Sequence, residues 1–125
     1  MKRRCPKCSF IKKHILHDYQ LTFRSKYGAC DIEKKKGKKV YGALYIISKS
    51  AERKLDIYEE YPTLYKKIYF SYKENKVMTY TMVKKTKLVP PTIRYLNVVK
   101  QGYKDCKINI KSLQIALRPV AHLQR

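Results

Sequence analysis

Alternating apolar and polar positions predict strands in the first half of the chain. Tyr19–Phe23 alternates with the period of a half-buried strand, and Val40–Ile47 does so with many β-branched and aromatic residues. The run Lys34–Lys39 (Lys-Lys-Lys-Gly-Lys-Lys) is typical of a hairpin tip. We therefore expect Ala29–Glu33 and Val40–Ile47 to form a hairpin around it. Gly42 indicates a bulge, or a close approach of another group to the backbone.

A helix is predicted directly after this strand. Ser48 is a suitable N-cap and Ser50 is an alternative one. Pro62 prevents the helix from continuing, because the residue before a proline disfavours helical dihedrals. The apolar residues that define its buried face recur at helical spacing and are Ala51, Leu55 and Tyr58.

The second half of the chain predicts a hairpin followed by two helices. Leu64–Tyr72 and Lys76–Lys84 are strand-like and are separated by the turn Lys-Glu-Asn. Thr92, after two prolines, is a suitable N-cap for a helix, and Ile108–Leu117 predicts a last short one. The apolar face of the helix after Thr92 consists of Ile93, Leu96, Val99 and Tyr103.

Strands joined by tight turns, with helices inserted between them, indicate an α+β fold. We expect a small mixed, mostly antiparallel, barrel-like sheet with flanking helices. The sequence has no repeat, low-complexity tract or linker. All 125 residues are therefore expected to form a single domain.

The charge of the chain admits two interpretations. There are 30 Lys and Arg against 9 Asp and Glu, a formal net charge of +21. Such an excess is typical of a non-catalytic module that binds RNA or another polyanion. Because the lysines are spread along the chain, with Lys34–Lys39 as the only block, an ordinary fold coated with solvated ammonium groups is the alternative.

The four cysteines do not make a complete metal motif. Cys5 and Cys8 have half of a zinc-knuckle spacing, and His14 and His17 follow them. A structural zinc site usually needs a loop of about twelve residues between its ligand pairs, and a second CxxC is absent. We therefore expect no metal and reduced thiols. No apolar run reaches the roughly 18 residues of a membrane span, so a cytoplasmic location without membrane contact is expected.

The carboxylates are unusually concentrated. Asp56, Glu59 and Glu60 fall within five positions at the predicted helix end, where the helix dipole disfavours negative charge. A functional role for these carboxylates would explain why negative charge lies at a helix end that disfavours it. The alternative is that Asp56 and Glu60 face solvent and pair with lysines. The sequence contains no GxSxG, Walker A, HExxH or GxGxxG motif.

The motifs around this helix resemble the gamma-glutamylcyclotransferase-like family. Gly42–Ser48 (Gly-Ala-Leu-Tyr-Ile-Ile-Ser) and Leu55–Tyr65 (Leu-Asp-Ile-Tyr-Glu-Glu-Tyr-Pro-Thr-Leu-Tyr) are similar to its pattern G-x-h-Y-x-h-S followed by L-D-x-Y-E-G-x-P-x-x-Y, where h is apolar. Pro91–Leu96 and the later Gly102 are similar to its P-S-x-x-Y-h helix start and following glycine. Matching segments occur in order over nearly the whole chain.

The resemblance implies a reaction that needs no cofactor. The α-amine of a γ-glutamyl group attacks its own γ-amide carbonyl, releasing 5-oxoproline and an amine or amino acid. A carboxylate shuttles the proton, and that role falls on Glu59. The tyrosines that line the substrate pocket of the family fall on Tyr65, Tyr80 and Tyr95. We therefore expect a tyrosine-walled hollow beside Glu59 and a small-molecule γ-glutamyl substrate.

Two departures from the family pattern affect this interpretation. Glu60 stands where the family has a glycine, at a position that typically needs a positive φ. The family also opens with a strand and a Tyr-Gly-Ser-Asn-like loop that holds the glutamyl group. Since the present sequence resembles the family only from its first helix onward, we expect an N-terminally truncated domain of this family, with an inactive fragment of the enzyme as the alternative. On the same basis Cys5 and Cys8 would belong to an ordinary helix end.

Overall fold

The computed structural model describes residues 9–25, 28–121 and 123. In chain order its elements are β1 (Ser9–Arg24), β2 (Ala29–Ile46), α1 (Lys49–Tyr58), β3 (Tyr65–Tyr72), β4 (Asn75–Met82), α2 (Ile93–Asp105), α3 (Lys111–Leu117) and a 3₁₀ turn (Arg118–Val120). The described strands pair as two antiparallel two-stranded sheets, β1 with β2 and β3 with β4. The α+β prediction is thus confirmed. No helix in the described ranges is both long enough and apolar enough to cross a membrane.

The prediction that Lys34–Lys39 is a hairpin tip is wrong. The segments Ala29–Glu33 and Val40–Ile47 do not pair with each other. Both belong to the long strand β2, which ends at Ile46, and both pair with β1. Opposite the lysine run the register jumps: His17 pairs with Lys39, and Tyr19 pairs with Lys34. Several residues of β2 therefore bulge out opposite Asp18.

Backbone geometry explains this bulge. Asp18 has φ 63° and Gly37 has φ 83°, left-handed dihedrals that a regular strand does not accommodate. The Asp18 carboxylate accepts a hydrogen bond from the Gly37 N–H at 3.0 Å. A lysine-glycine run has the local signature of a turn, but here it is an irregularity in a strand whose partner lies earlier in the chain. Gly42 marks neither a bulge nor a close approach, since the register is regular there and a Cβ would meet no atom within 4 Å.

Helix boundaries follow the predicted caps. The Ser48 hydroxyl accepts from the Ala51 N–H at 3.1 Å at the start of α1, and the Thr92 hydroxyl accepts from the Tyr95 N–H at 3.1 Å at the start of α2. The predicted hairpin is also confirmed, with Tyr65 opposite Met82 at one end and Tyr72 opposite Asn75 at the other.

The core has two parts. Phe23 on β1 is 0% exposed and packs with Leu113 and Ala116 of α3. Leu96, Val99 and Tyr103 of α2 cover this group as predicted, but Ile93 is 80% exposed and does not belong to the buried face. Ala51 and Leu55 of α1 form the second part, against side chains of β2 and β4. Tyr58, which was predicted to share their buried face, is instead 58% exposed. Since each helix presents an apolar stripe to a strand, burial of these stripes fixes where the helix ends lie.

A buried carboxylate joins the two sheets. Asp31 on β2 has a fully buried side chain, whose Oδ1 accepts from the Met82 N–H at 2.7 Å and from the Thr81 hydroxyl at 3.0 Å. Its Oδ2 accepts from Lys85 Nζ at 2.6 Å. Because every bond crosses from β2 to β4 or to the residues just after it, this carboxylate fixes one sheet relative to the other.

Candidate functional site

Glu59 is held at the end of α1 by a specific helix stop. It is the C-cap residue, with φ −85° and ψ 3°, and its N–H donates to the Leu55 carbonyl at 2.8 Å. Beyond it, the Tyr61 N–H donates to the Asp56 carbonyl at 2.9 Å and the Glu60 N–H donates to the Ile57 carbonyl at 3.1 Å. This pair of bonds is a Schellman motif. It places the half-buried Glu59 side chain where the chain turns back toward β3.

Glu60 occupies the left-handed position of this motif. Its φ of 53° confirms the prediction that the position needs a positive φ, and its carbonyl accepts from the N–H groups of Thr63 and Leu64, both at 2.9 Å. Glycine is the residue that fits here without steric cost. Glu60 therefore strains the turn that carries Glu59.

Glu60→Gly is expected to raise the free energy of unfolding by about 0.5–1 kcal/mol, because relief of the left-handed strain exceeds the entropy that glycine adds to the unfolded chain. Glu60→Ala removes the same carboxylate but keeps the Cβ, so it should give no such gain. Urea denaturation of the two variants and the wild type measures this. An equal gain in both variants would mean that charge, and not backbone geometry, is responsible.

Asp56 is fixed by two partners from the β3–β4 hairpin. Its Oδ1 accepts from the Tyr80 hydroxyl at 2.5 Å and its Oδ2 accepts from Lys67 Nζ at 3.0 Å. Lys67, with an 11% exposed side chain, also donates to Glu52 at 2.6 Å and lies 4.3 Å from the centre of the Tyr61 ring. Asp56 does pair with a lysine, but it is half-buried instead of facing bulk solvent.

The charges at the end of α1 act on both hairpin partners. Burial alone would lower the pKa of Lys67, but its hydrogen bonds to Glu52 and Asp56 outweigh that effect and raise it. The pKa of Tyr80 is also raised, first by burial, then by its bond to Asp56 and by the negative charges of Asp56, Glu52 and Glu59. Glu59 is therefore an electrostatic neighbour of the Tyr80 phenol.

Tyr65 and Tyr95 converge on one residue of β2. The Tyr65 hydroxyl donates to the Cys30 carbonyl at 2.6 Å, and the Tyr95 hydroxyl accepts from the Cys30 N–H at 2.9 Å. Burial and the nearby Cys30 raise the pKa of Tyr95. The Tyr65 and Tyr80 rings meet edge to face, with centres 6.5 Å apart. The three tyrosines and Glu59 thus form a chain of neighbours.

Two cavities stand out in the described part of the chain, of about 470 Å³ at the β3–β4 turn and about 570 Å³ between β1, β2 and the residues before α3. Neither is lined by Glu59, Tyr65, Tyr80 or Tyr95. The hollow expected beside Glu59 is therefore neither of these two cavities.

Sequence reasoning missed Lys67 and Cys30 as parts of this site. Lys67 lies directly opposite Tyr80 in the hairpin and two residues after Tyr65, so strand alternation places all three on one face. The alternation of side chains along these strands could therefore have predicted that Lys67 belongs to the site. The role of Cys30 is carried by its backbone, which leaves no signal in residue identity.

The described residues offer no ready metal centre, because no three of their His, Cys, Asp and Glu side chains are grouped as ligands would be. The half-knuckle cysteines Cys5 and Cys8 lie outside the described residues. The Cys106 sulfur lies 2.9 Å from the Tyr45 hydroxyl, within hydrogen-bonding distance.

Known proteins with this architecture are similar to the chain. An uncharacterised human protein and a protein described as a gamma-glutamyl cyclotransferase each superimpose with a TM-score of 0.74 and 20% identity, over 94% of this chain and 78% of theirs. YkqA from Bacillus subtilis superimposes with a TM-score of 0.73 and 16% identity, over 99% of this chain and 48% of that one. At these identities the likeness shows the fold alone.

The amino-acid sequence itself identifies the family of the chain. A comparison with curated protein sequences finds no match. The model of the family described as "Gamma-glutamyl cyclotransferase, AIG2-like" matches residues 1–97, which include Glu59 and all three candidate tyrosines. The chain belongs to this gamma-glutamyl cyclotransferase, AIG2-like family.

Proposed function

We propose that the protein is a gamma-glutamylcyclotransferase that releases 5-oxoproline from γ-glutamyl amides or peptides, with Glu59 as the proton shuttle. The α-amine of the glutamyl group attacks the γ-carbonyl carbon, and a new C–N bond closes the five-membered lactam. The old C–N bond of the γ-amide then breaks. The products are 5-oxoproline and a free amine or amino acid.

The observation that carries this proposal is the grouping around Tyr80. This ring lies edge-on to Tyr65, its hydroxyl binds Asp56, and the charge of Glu59 acts on it. The family resemblance singled out Glu59, Tyr65 and Tyr80 by motif alone, from segments of the chain that are separated in sequence. Their proximity supports a common role.

The proposed reaction requires little of the protein beyond positioning the substrate. Because the nucleophile belongs to the substrate, the protein must fold the glutamyl chain and move one proton. In the proposal the Glu59 carboxylate takes that proton from the attacking amine and returns it to the leaving nitrogen. Asp56 is committed to Tyr80 and Lys67, which makes it a positioning residue for the tyrosine wall.

The tyrosines act in this proposal through their rings. Tyr65 and Tyr95 use their hydroxyls on the Cys30 backbone, and Tyr80 uses its hydroxyl on Asp56. The rings form an apolar wall that would strip water from the folded glutamyl chain. Excluding water strengthens the interaction of the carboxylate with the ammonium and amide groups.

The test is direct detection of 5-oxoproline. The purified 125-residue chain, and a version extended in frame upstream of Met1, are incubated with glutathione, a γ-glutamyl amino acid and a γ-glutamylamine, and the product is quantified by mass spectrometry. The proposal expects 5-oxoproline from at least one substrate, in amounts that scale with protein. Its absence with every substrate and both proteins would overturn the proposal.

A further inference from the structure

Outside the candidate site, the structure brings aromatic and cationic side chains together on another surface. Phe70 and Tyr72 are two residues apart on β3 and so share one face of the hairpin. His14 of β1 stacks on Phe70, with ring centres 5.5 Å apart and planes 10° apart, and meets Tyr72 edge-on at 5.4 Å. Lys12 and Lys73 hold their ammonium groups 5.5 and 5.6 Å from the centre of the Tyr72 ring. We call these five residues the basic aromatic face.

This face continues into a cavity. Lys12 and His14 line both the basic aromatic face and the cavity of about 570 Å³. Tyr41 of β2 forms part of the cavity wall, with the Lys39 ammonium 5.6 Å from its ring centre. The other lining residues are Lys13, Ile15, His17, Gly42, Ile108 and Asn109. The lining includes lysines, histidines and a tyrosine, but none of the described carboxylates.

Four of the nine acidic residues are held in ion pairs away from this surface. In the described part of the chain, ion pairs hold Asp31 to Lys85, Glu33 to Arg24, and both Glu52 and Asp56 to Lys67. Those carboxylates are thus engaged elsewhere. With a formal net charge of +21, the positive potential of the basic aromatic face is left for an external anion.

Single-stranded nucleic acid has the chemistry that fits both features. Its phosphates release counterions when lysines bind them, and its unpaired bases stack on exposed aromatic rings. A duplex would satisfy only the lysines, since its bases are already stacked and paired. An anionic protein or membrane would match the positive charge of the face, but neither has unpaired bases to stack on rings that alternate with ammonium groups.

We propose that the basic aromatic face and the adjoining cavity bind single-stranded nucleic acid, with Lys12 and Lys73 on phosphates and Tyr72 under a base. This activity is independent of 5-oxoproline release and uses a different surface. The proposed surface includes Lys39 at the cavity wall but not the start of the Lys34–Lys39 run. Lys34 lies opposite Tyr19, seven residues along β1 from Lys12, or about 20 Å.

Fluorescence anisotropy with labelled twelve-residue oligo-U, oligo-dT and a duplex of equal length, at several salt concentrations, tests this proposal. Wild type should bind both single strands more tightly than the duplex, with an affinity that falls steeply with salt. The comparison of oligo-U with oligo-dT shows whether RNA or DNA is preferred. Equal affinity for the duplex, or indifference to salt, would contradict the proposal.

Matched variants assign the binding to this surface. Lys12→Gln with Lys73→Gln should weaken binding and lower the salt slope by about 1.4, for two phosphate contacts on a single strand. Lys34→Gln with Lys36→Gln removes the same charge and should change the affinity far less. An equal loss in both pairs would mean that only overall charge matters, which overturns the assigned surface.

The stacking role of Tyr72 has its own control on the same strand. Tyr72→Leu should weaken single-strand binding about tenfold, as removal of a stacking ring does. Tyr69→Leu, on the opposite face of β3, should leave it nearly unchanged. If Tyr72→Leu instead changes only the oligomeric state measured by light scattering, or only binding to anionic vesicles, the face serves another partner and the proposal fails. Glu59→Gln should bind oligonucleotide like the wild type.

Discussion

Glu59→Gln is expected to reduce the rate of 5-oxoproline release by about 10²–10⁴-fold, the range that a general acid–base group usually contributes. Glutamine keeps the size and the hydrogen-bonding shape of the side chain but cannot carry the proton. Because Glu59 is fixed through its backbone, by the C-cap bonds of α1, the substitution should leave folding intact. Steady-state kinetics together with urea denaturation measure both quantities.

Glu60→Gln is the matched control for this prediction. It makes the same change of charge one residue further on, at an exposed side chain of the same turn. Its activity should remain close to that of the wild type, since exposed substitutions usually have small effects. If Glu59→Gln retains its activity, Glu59 is not the shuttle. If both variants lose activity equally, the charge of the turn matters and not one carboxylate.

Asp31→Ala is expected to lower the free energy of unfolding by about 3–5 kcal/mol. The substitution removes the ion pair with Lys85 and leaves the Met82 N–H without its acceptor. The Thr81 hydroxyl loses one of its bonds at the same time. An unpaired buried donor costs free energy beyond the lost bond, because water cannot replace the carboxylate.

Denaturation followed by circular dichroism measures this effect, with Asp105→Ala as the control. Asp105 is exposed and its carboxylate accepts from the Gln101 side chain at 2.7 Å, so its loss should cost well under 1 kcal/mol. Equal destabilisation by the two variants would mean that Asp31 does not join the sheets. Because Asp31 follows Cys30, whose backbone binds Tyr65 and Tyr95, its loss should also loosen the tyrosine wall.

Local signals in the sequence were sufficient where neighbouring residues decide the structure. Ser48 and Thr92 cap their helices through hydrogen bonds that span three residues, so the residue type alone predicted them. Glu60 was recognised by its place in a motif, and its positive φ follows from the helix stop it occupies. The turn between β3 and β4 was likewise predicted from neighbouring residues alone.

Local signals in the sequence failed where a residue far away in the chain determines the structure. The Lys34–Lys39 run has the composition of a turn, but pairing of β2 with both ends of β1 makes it a bulge. The Asp31–Lys85 pair joins residues 54 positions apart in the chain, and no spacing rule identifies such partners. The same holds for His14, whose contacts with Phe70 and Tyr72 depend on how the hairpin packs on β1.

The central claim is that a γ-glutamyl group is cyclised beside Glu59 and against the tyrosine wall. A crystal structure of Glu59→Gln with an intact γ-glutamyl substrate tests it most directly, because the variant should turn over too slowly to consume the ligand. The account predicts that the α-amine or the scissile nitrogen lies within about 3.2 Å of the side-chain amide of residue 59, with the glutamyl chain against Tyr80. A substrate bound away from residue 59 would contradict it.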